Sequence, residues 1–251
     1  KNITYLAPPG KAIIAADIPA SQLRIAAIVA NDRRLIQAFQ EGKDVHRETT
    51  AKLLGKSPEQ VTDKERQIGK TAHFQLLFGA GANTFKEKLE MATRKKFTSE
   101  NIQNFISGFR EAYPDLAAWQ SRIMAEADEI PFEESFIVRT LTGKQIRALT
   151  CNQALNYAIA GSEAEIFKVA VTRFSTECRK NGINAHIVNL VHDSIVVEAD
   201  LEDIIRASEL LKKSVESAMN EALVDIITEI DITTMAEAPV VPEAETGSEN
   251  G

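Results

Sequence analysis

The amino-acid sequence predicts an α+β fold, an antiparallel sheet backed by helices, and three observations lead to this prediction. An apolar run at residues 11–16 ends at Asp17 and has the length of a buried strand. Two β-rich runs between residues 185 and 199 flank the polar pair His192-Asp193, which is the pattern of a hairpin. Helical patterns fill most of the chain between these strands, so the sheet is expected to combine strands from both ends of the sequence.

The helices are predicted from start signals and apolar spacing. The best-marked helix begins at Thr62, because Thr followed three residues later by Glu65 forms a capping box. The helices predicted before residue 131 are 23–39, 46–54, 62–78, 99–109 and 115–127. The elements predicted after residue 131 are a small hairpin around Thr142-Gly143, a helix at 152–180, the hairpin around His192-Asp193, a helix at 201–223 and a strand at 224–233.

Asp17 and Asp193 are the first residues that suggest chemistry. A carboxylate at a strand end is held rigidly, and if the late hairpin packs beside the first strand, the two carboxylates face one another. Two such groups can share two Mg²⁺ ions about 3.5–4 Å apart, one to activate the attacking oxygen and one to stabilise the leaving oxygen in phosphoryl transfer. Taken alone, each aspartate is more simply explained as a turn or strand-end residue, since Asp is common at both places. The pair favours a site only when it is combined with the middle of the chain.

The helix that begins at Thr62 carries two cations and an aromatic ring on one face. Arg66, Lys70 and Phe74 are four residues apart, and each step turns the side chain by only about 40° around the helix. This stripe can bind a triphosphate and stack on a base or a sugar. A solvated basic edge beside a core phenylalanine is the alternative that the helix alone would allow.

Composition is that of a globular enzyme. The chain has 251 residues, of which 44% are hydrophobic and 26% charged, enough for a substantial core in one or two domains. It contains no long apolar span and no signal peptide, so no membrane partner and a cytoplasmic location are expected. Cys151 and Cys178 lack metal-ligand spacing, which predicts buried free thiols in a reducing compartment. The net charge of −7 argues against a simple nucleic-acid binder, because phosphate contacts need Lys and Arg.

The three segments together resemble the motifs of family A DNA polymerases, the DNA polymerase I type, in order and spacing from about residue 2 to residue 233. The family's helix reads Arg-x3-Lys-x3-Phe/Tyr-x3-Tyr-Gly, which is matched by Arg66, Lys70, Phe74, Phe78 and Gly79. The segment from Gly42 to His46 resembles the family's Gly-x-Asp-Ile/Val-His.

The resemblance implies a right-hand polymerase palm with a helical fingers subdomain. On this division residues 1–24 are palm with the first catalytic strand, residues 25–130 are fingers, and residues 131–235 are palm again, with the catalytic hairpin and the last helix and strand. Residues 236–251, rich in Glu, Pro, Ala, Ser and Gly, are predicted to be a disordered tail.

The resemblance also implies template-directed addition of deoxynucleotides to a primer 3′ end, with two Mg²⁺ ions as cofactors and with primer–template DNA and dNTPs as partners. The implied catalytic and metal-binding groups are Asp17, Asp193 and the backbone carbonyl of Ile18. The implied nucleotide-binding residues are Arg66, Lys70, His46, Phe74, Gln22 and Phe78. DNA contacts are implied for Asn156, His192 and Arg24, and the location would then be nucleoid-associated.

Several positions depart from the family's pattern. Gln22 stands where the family has the Glu that acts as a steric gate against ribose, and Phe78 replaces the Tyr that packs on that gate. The usual Asn-Phe-Gly on the helix is His73-Phe74-Gln75, the usual His-Asp-Glu ends in Ser194, and Ala160 replaces a Gln. Activity with altered selectivity is therefore expected.

The family's thumb, opening palm strands and exonuclease domain precede the segment that this chain resembles. We therefore expect a palm-and-fingers part of a longer or split polymerase, with an N-terminal thumb and exonuclease portion as a partner. Two alternatives remain open from the sequence: a relaxed polymerase that also uses ribonucleotides or RNA templates, and a catalytically silent fragment that binds DNA or another chain.

Overall fold

The computed structural model of the protein describes residues 7–130, 134–191 and 194–236. The predicted site residues His192 and Asp193, and nearly all of the predicted tail, lie outside the described residues. Within those ranges, no helix combines the length and the apolar character that crossing a membrane requires.

Both cysteines are free as predicted, but only Cys178 is buried, whereas Cys151 is partly exposed.

A four-stranded antiparallel sheet confirms the predicted fold class. The strands of the described residues, numbered along the chain, are β1 (Lys11–Asp17), β2 (Phe136–Arg139), β3 (Gln145–Ala148), β4 (Ala185–Val191), β5 (Ser194–Asp200) and β6 (Asp231–Ala236). The main sheet has the order β4-β5-β1-β6, and β2 and β3 form a separate small hairpin. The first strand of the sequence therefore lies between two strands from its end, as expected from their apolar patterns.

Helices make up most of the remaining structure. They are α1 (Ser21–Ala30), α2 (Arg33–Gln40), α3 (Val45–Leu54), α4 (Asp63–Leu77), α5 (Ala82–Thr93), α6 (Ser99–Ala112), α7 (Pro114–Asp128), α8 (Cys151–Asn181) and α9 (Ile204–Ala222). Helix α9 packs on β1, β5 and β6, and α8 packs on α9, α1 and β4. Strand β1 lies in the interior of the sheet, and its Ala12, Ile13, Ile14 and Ala16 are all buried.

The prediction of one helix over residues 23–39 is wrong, because the chain breaks between α1 and α2. Asn31 adopts a left-handed conformation with φ of 51°, which ends α1. Asp32 then caps α2 by accepting a hydrogen bond from the backbone N–H of Leu35 at 2.9 Å. The second carboxylate oxygen of Asp32 accepts from the backbone N–H of Leu116 in α7, also at 2.9 Å. This buried carboxylate therefore joins the starts of two helices.

The last strand also differs from its predicted bounds of 224–233. Residues 224–230 form a connection, and β6 begins only at Asp231. Within the connection, the side-chain oxygen of Asn220 accepts from the backbone N–H of Thr228 at 2.9 Å, so this segment is bonded to α9 rather than to a strand. The predicted hairpin around Thr142-Gly143 and the helices predicted at 46–54 and 62–78 are confirmed within one or two residues.

Candidate active site

A cavity of about 620 Å³ lies beyond the end of β1, between α1, α3, α4 and α8. It brings together predicted site residues from distant parts of the sequence, namely Asp17, Gln22, His46, Arg66, Lys70 and Phe74. The residues that line it without having been selected by the sequence analysis include one imidazole, on His73, and two carboxylates, on Glu163 and Asp231. The cavity therefore has an acidic strand end on one side and a cationic helix face on another.

Asp17 is the last residue of β1, and its side chain is exposed at the cavity. In the sheet it pairs with Ser194 of β5 on one side and with Asp231 of β6 on the other. Residues that are directly opposite one another on neighbouring strands project their side chains on the same face, so Asp17 and Asp231 form a carboxylate pair. Two like charges in this position destabilise a sheet unless a cation lies close to them.

The predicted partner Asp193 lies outside the described residues, and its sequence neighbour Ser194 is the residue that pairs with Asp17. Among the described residues, no group of three or more His, Cys, Asp or Glu side chains is arranged to hold a metal ion. The carboxylate oxygens of Asp17 and Asp231 are nevertheless the hard donors that Mg²⁺ prefers, so the residues present fit that ion. Asp231 was missed because a carboxylate near a strand start carries no distinctive local pattern.

The carbonyl of Ile18, predicted as a metal ligand, accepts a hydrogen bond from the backbone N–H of Ser21 at 3.3 Å. This bond turns the chain from β1 into α1. A carbonyl oxygen has two lone pairs, so this bond leaves one lone pair for another partner. The assignment of Ile18 as a ligand stays a prediction.

Helix α4 presents its cationic face to the cavity as the four-residue spacing predicted. Its start is fixed by the predicted capping box, in which Thr62 and Glu65 each accept a hydrogen bond from the other's backbone N–H, at 3.2 and 3.1 Å. Lys70 is exposed, and the Nε of Arg66 donates to a carboxylate oxygen of Asp44 at 2.6 Å. Burial raises the pKa of Asp44, but hydrogen bonds from Arg66 and from the α3 backbone outweigh it and lower the pKa overall.

His46 lies on α3 next to this cationic face. Burial lowers the pKa of His46 to about 4, and the positive charges of Arg66 and Lys70 add to the effect, while Asp44 opposes it. The imidazole is therefore neutral at physiological pH. The positive charge of Arg66 and Lys70 and the neutral ring of His46 together give a surface that attracts anions.

Gln22, the predicted gate, is bonded to a buried carboxylate. Its side-chain Nε2 donates to Oε2 of Glu163 at 2.8 Å, and the hydroxyl of Ser21 donates to Oε1 of the same carboxylate. Glu163 is 7% exposed and projects from α8 into the cavity lining. The sequence analysis missed Glu163 because its partners are more than 140 residues away in the sequence.

Two aromatic residues end the cationic face of α4. Phe74 is 60% exposed and lines the cavity, which leaves its ring accessible to a ligand. Phe78 packs edge-on against Phe74, with ring centroids 5.9 Å apart. The carbonyl of Phe78 accepts from the side chain of Asn152 at 2.9 Å, so α8 holds the end of α4 in place.

Of the residues predicted to contact DNA, Arg24 and Asn156 lie outside the cavity lining. The guanidinium of Arg24 donates to the carbonyl oxygens of Pro19 and Ile227 and lies 4.5 Å from the ring of Phe39. Arg24 is therefore held by internal contacts, and burial lowers its pKa. Asn156 is partly exposed on α8, two helical turns before Glu163 and outside the cavity lining. Neither assignment is tested by these positions.

The fold and the cavity define an α+β domain whose sheet end and helical part share a site suited to a phosphorylated ligand. Residues 3–237 match the family model for DNA polymerase family A. The chain therefore belongs to DNA polymerase family A, as its motifs indicated.

Curated relatives support this assignment. The chain is 34% identical over 227 residues to DNA polymerase I of Aquifex aeolicus, with 90% of this chain and 39% of the relative covered. It is 27% identical over 221 residues to the thermostable DNA polymerase I of Thermus filiformis, with 85% of this chain and 26% of the relative covered. The chain thus spans well under half the length of these relatives.

A solved structure supports the fold. The POL domain of Pol1 from M. smegmatis, in complex with DNA primer-template and dNTP, superimposes with a TM-score of 0.78 at 19% identity. The match covers 92% of this chain and 40% of the POL-domain chain.

Proposed function

We propose that this chain carries the nucleotidyl-transfer site of a template-directed DNA polymerase, which adds deoxynucleotides to a primer 3′ end. The observation that carries the proposal is the meeting of Asp17 with Arg66, Lys70 and Phe74 at one cavity. Membership of the family and the names of the relatives support the same activity. A site with acidic and cationic walls suits a substrate that combines a triphosphate with divalent cations.

The protein's main contribution is to position the reacting groups. In the proposed reaction the primer 3′-oxygen attacks the α-phosphorus of the dNTP, the bond to the β-phosphate breaks, and pyrophosphate leaves. Little covalent chemistry falls to the protein, so alignment and charge stabilisation account for most of its effect. Arg66 and Lys70 would bind the triphosphate oxygens, and Phe74 would pack against the sugar, because their side chains line the cavity from one helix face.

Mg²⁺ fits the donor atoms at the strand end. Asp17 and, outside the described residues, Asp193 would hold two ions with the carbonyl of Ile18, and the ions would stabilise charge on the attacking and leaving oxygens. Asp44 would position Arg66, because its carboxylate oxygen lies 2.6 Å from the guanidinium Nε of Arg66 and holds that group at the cavity. This contact keeps the cation oriented before any substrate binds.

The hydrogen bond between Gln22 and Glu163 favours a polymerase that excludes ribonucleotides less strictly. Because the amide nitrogen of Gln22 donates to Glu163, the gate is held by a neutral amide and a carboxylate from another helix. The second N–H of the Gln22 amide can donate a hydrogen bond to a ribose 2′-hydroxyl, which the carboxylate of Glu cannot do. We propose discrimination against ribonucleotides that is weaker than with Glu at this position, though not abolished.

Primer–template DNA is the proposed macromolecular partner. We further propose that an N-terminal thumb and exonuclease portion supplies additional contacts to the duplex, because the 36 Asp and Glu of this chain outnumber its 29 Lys and Arg, which weakens its own attraction for phosphates. Extension by this chain alone should then stop after few additions at physiological salt.

Templated single-nucleotide incorporation tests the proposal. A labelled primer on four templates that differ only in the next base is mixed with each dNTP in turn, in the presence of Mg²⁺. The proposal expects incorporation of the complementary nucleotide on each template. Incorporation that ignores the template base, or no incorporation at any enzyme concentration at low salt, would contradict it.

A further inference from the structure

His73 lies on α4 beside His46, and both imidazoles belong to one hydrogen-bonded chain. The Nδ1 atoms of the two rings are 3.0 Å apart, and Nδ1 of His73 is also 2.9 Å from the carbonyl oxygen of Gly69. On its other side, Nε2 of His73 is 3.2 Å from the hydroxyl of Thr49, which is 2.7 Å from the hydroxyl of Tyr113. His73 is only 2% exposed, so protein groups rather than water must satisfy its nitrogens.

The carbonyl of Gly69 determines which nitrogen of His73 carries the proton. A carbonyl oxygen can only accept, so the group at 2.9 Å must donate, and Nδ1 of His73 is therefore protonated. Burial lowers the pKa of His73 to about 3, and the neighbouring His46 adds to this effect, so the ring is neutral and its Nε2 carries a lone pair. That lone pair accepts the hydroxyl proton of Thr49, and Thr49 in turn accepts from Tyr113.

The tautomer of His73 then determines the tautomer of His46. The N–H at Nδ1 of His73 is shared between the carbonyl of Gly69 and Nδ1 of His46, so Nδ1 of His46 must accept. A neutral imidazole that accepts at Nδ1 has its proton on Nε2. Among the described residues, Nε2 of His46 has no hydrogen-bond partner, and His46 lines the cavity next to Arg66 and Lys70. The chain of bonds thus ends in an N–H donor at the cavity.

We propose that His73 is a positioning residue that holds His46 as the neutral, Nε2-protonated tautomer, so that His46 can donate a hydrogen bond to a phosphate oxygen of the nucleotide. The phosphate part of this inference rests on the proposed function, whereas the tautomer part does not. The consequence is that nucleotide binding through His46 does not require a protonated imidazole and does not vary with pH near neutrality.

The charged groups around the pair allow this arrangement. Asp44 at the start of α3 favours a protonated His46, whereas Arg66 and Lys70 on α4 oppose it. From the end of α6, Phe109 and Tyr113 pack against His73 with ring centroids 5.5 and 5.6 Å away. To become imidazolium, His46 would have to donate from Nδ1 towards His73, whose Nδ1 already carries a proton. The hydrogen bond to Gly69 therefore opposes protonation of His46 even when a phosphate lies nearby.

Two substitutions separate the proposed role from simple packing. His73→Phe keeps a ring against Phe109 but removes both nitrogens. His73→Asn places an amide nitrogen where Nδ1 of the imidazole stood, because both atoms are attached to Cγ, and so restores a donor to His46.

The first measurement is the protonation state of His46, read by two-bond ¹⁵N–¹H correlation NMR on the unliganded protein between pH 5 and 8. The wild-type chain and His73→Asn should show an Nε2-protonated His46 that does not titrate in this range. His73→Phe should give a mixture of tautomers or a titration of His46 within it. A wild-type His46 that is protonated on Nδ1, or that titrates near its ordinary pKa, would overturn the proposal, even if His73→Phe fails to fold.

The second measurement is the dNTP dependence of single-nucleotide incorporation over the same pH range. His73→Phe should raise KM by the inverse of the fraction of His46 that keeps its proton on Nε2, about twofold for an equal mixture of tautomers, with a smaller effect on kcat. His73→Asn should restore KM to the wild-type value at each pH, so that the two proteins share one pH dependence. Equal KM in wild type and His73→Phe would overturn the phosphate role. Absence of incorporation by the wild type would count against the proposed function, while the NMR result would still test the tautomer.

Discussion

The substitution Gly69→Ala should separate two helices of the candidate site. A Cβ at Gly69 on α4 would lie 2.1 Å from the carbonyl oxygen of His46 and 2.6 Å from the hydroxyl of Thr50, both on α3. The helices approach this closely because the hydroxyl of Thr50 accepts from the backbone N–H of Gly69 at 2.9 Å and donates to the carbonyl of His46 at 2.8 Å. The nearest obstacle is backbone, so it cannot rotate away from an added methyl group.

The size of the effect follows from these distances. Ordinary contact with a Cβ begins at 3.4 Å, so about 1.3 Å must be opened between α3 and α4. Overpacking of this kind costs about 3 kcal/mol, and the strained Thr50 hydrogen bond adds about 1 kcal/mol. For a chain of this size, 3–4 kcal/mol lowers the Tm by roughly 6–16 °C. A displacement of His46 by about 1 Å relative to Arg66 should also reduce incorporation, by up to about 10²-fold.

Thermal unfolding and incorporation kinetics of Gly69→Ala check both parts of this prediction. Gly108→Ala on α6 is the matched control, because its Cβ would meet only a methyl group of Leu53 at 3.4 Å. The control removes a glycine from a helix interior and should be neutral or stabilising by about 1 kcal/mol. If Gly69→Ala were as stable and as active as Gly108→Ala, the close contact of α3 with α4 would be refuted.

Three further predictions follow from the site. Lys70→Ala should raise the KM for dNTP about tenfold or more, by removing one charge-assisted phosphate contact worth about 1.5–3 kcal/mol, with primer–template affinity unchanged in a binding assay. Gln22→Glu alone should impair incorporation, because it places a second carboxylate against Glu163. The double variant Gln22→Glu/Glu163→Gln exchanges the two groups and should raise the ratio of the kcat/KM for a deoxynucleotide to that for its ribonucleotide about fivefold. An unchanged ratio would place the gate elsewhere. His46 and His73, with pKa values of about 4 and about 3, bind protons more weakly in the folded than in the unfolded chain. Stability should therefore fall as pH drops below about 6.5, by about 4 kcal/mol in total at pH 5, and urea unfolding of His46→Gln/His73→Asn should show a smaller fall.

Local signals predicted the parts of the fold that depend on neighbouring residues. The capping box of Thr62 and Glu65 predicted the start of α4, and the four-residue spacing placed Arg66 and Lys70 on the face that lines the cavity. The break at Asn31 was not predicted, although Asn31 as a helix end and Asp32 as a cap for the N–H of Leu35 are local signals. The second hydrogen bond of Asp32, from the N–H of Leu116, joins residues 84 positions apart. The polar side chain at residue 32 could be read from the sequence, but its second partner could not.

The candidate site shows the same division. Asp17 and His46 were selected because each lies in a recognisable local pattern, and both line the cavity. Glu163 contributes a carboxylate to that cavity from α8, and Asp231 contributes another from the strand paired with β1. No short sequence pattern marks either residue. The relation of His73 to His46 also depends on the crossing of α3 and α4, since 27 residues separate the two rings. Sequence periodicity describes one helix at a time and carries no information about such a crossing.

The central claim is that the carboxylate at the end of β1 serves nucleotidyl transfer. Single-turnover incorporation at saturating dNTP and Mg²⁺, compared between Asp17→Asn and the exposed control Asp225→Asn, tests it most directly. We predict that Asp17→Asn lowers the incorporation rate at least about a thousandfold, which corresponds to about 4 kcal/mol of transition-state stabilisation, while Asp225→Asn stays within about twofold of wild type. Far-ultraviolet circular dichroism should show both variants folded. A folded Asp17→Asn variant that incorporates nucleotides within tenfold of the wild-type rate would contradict the claim.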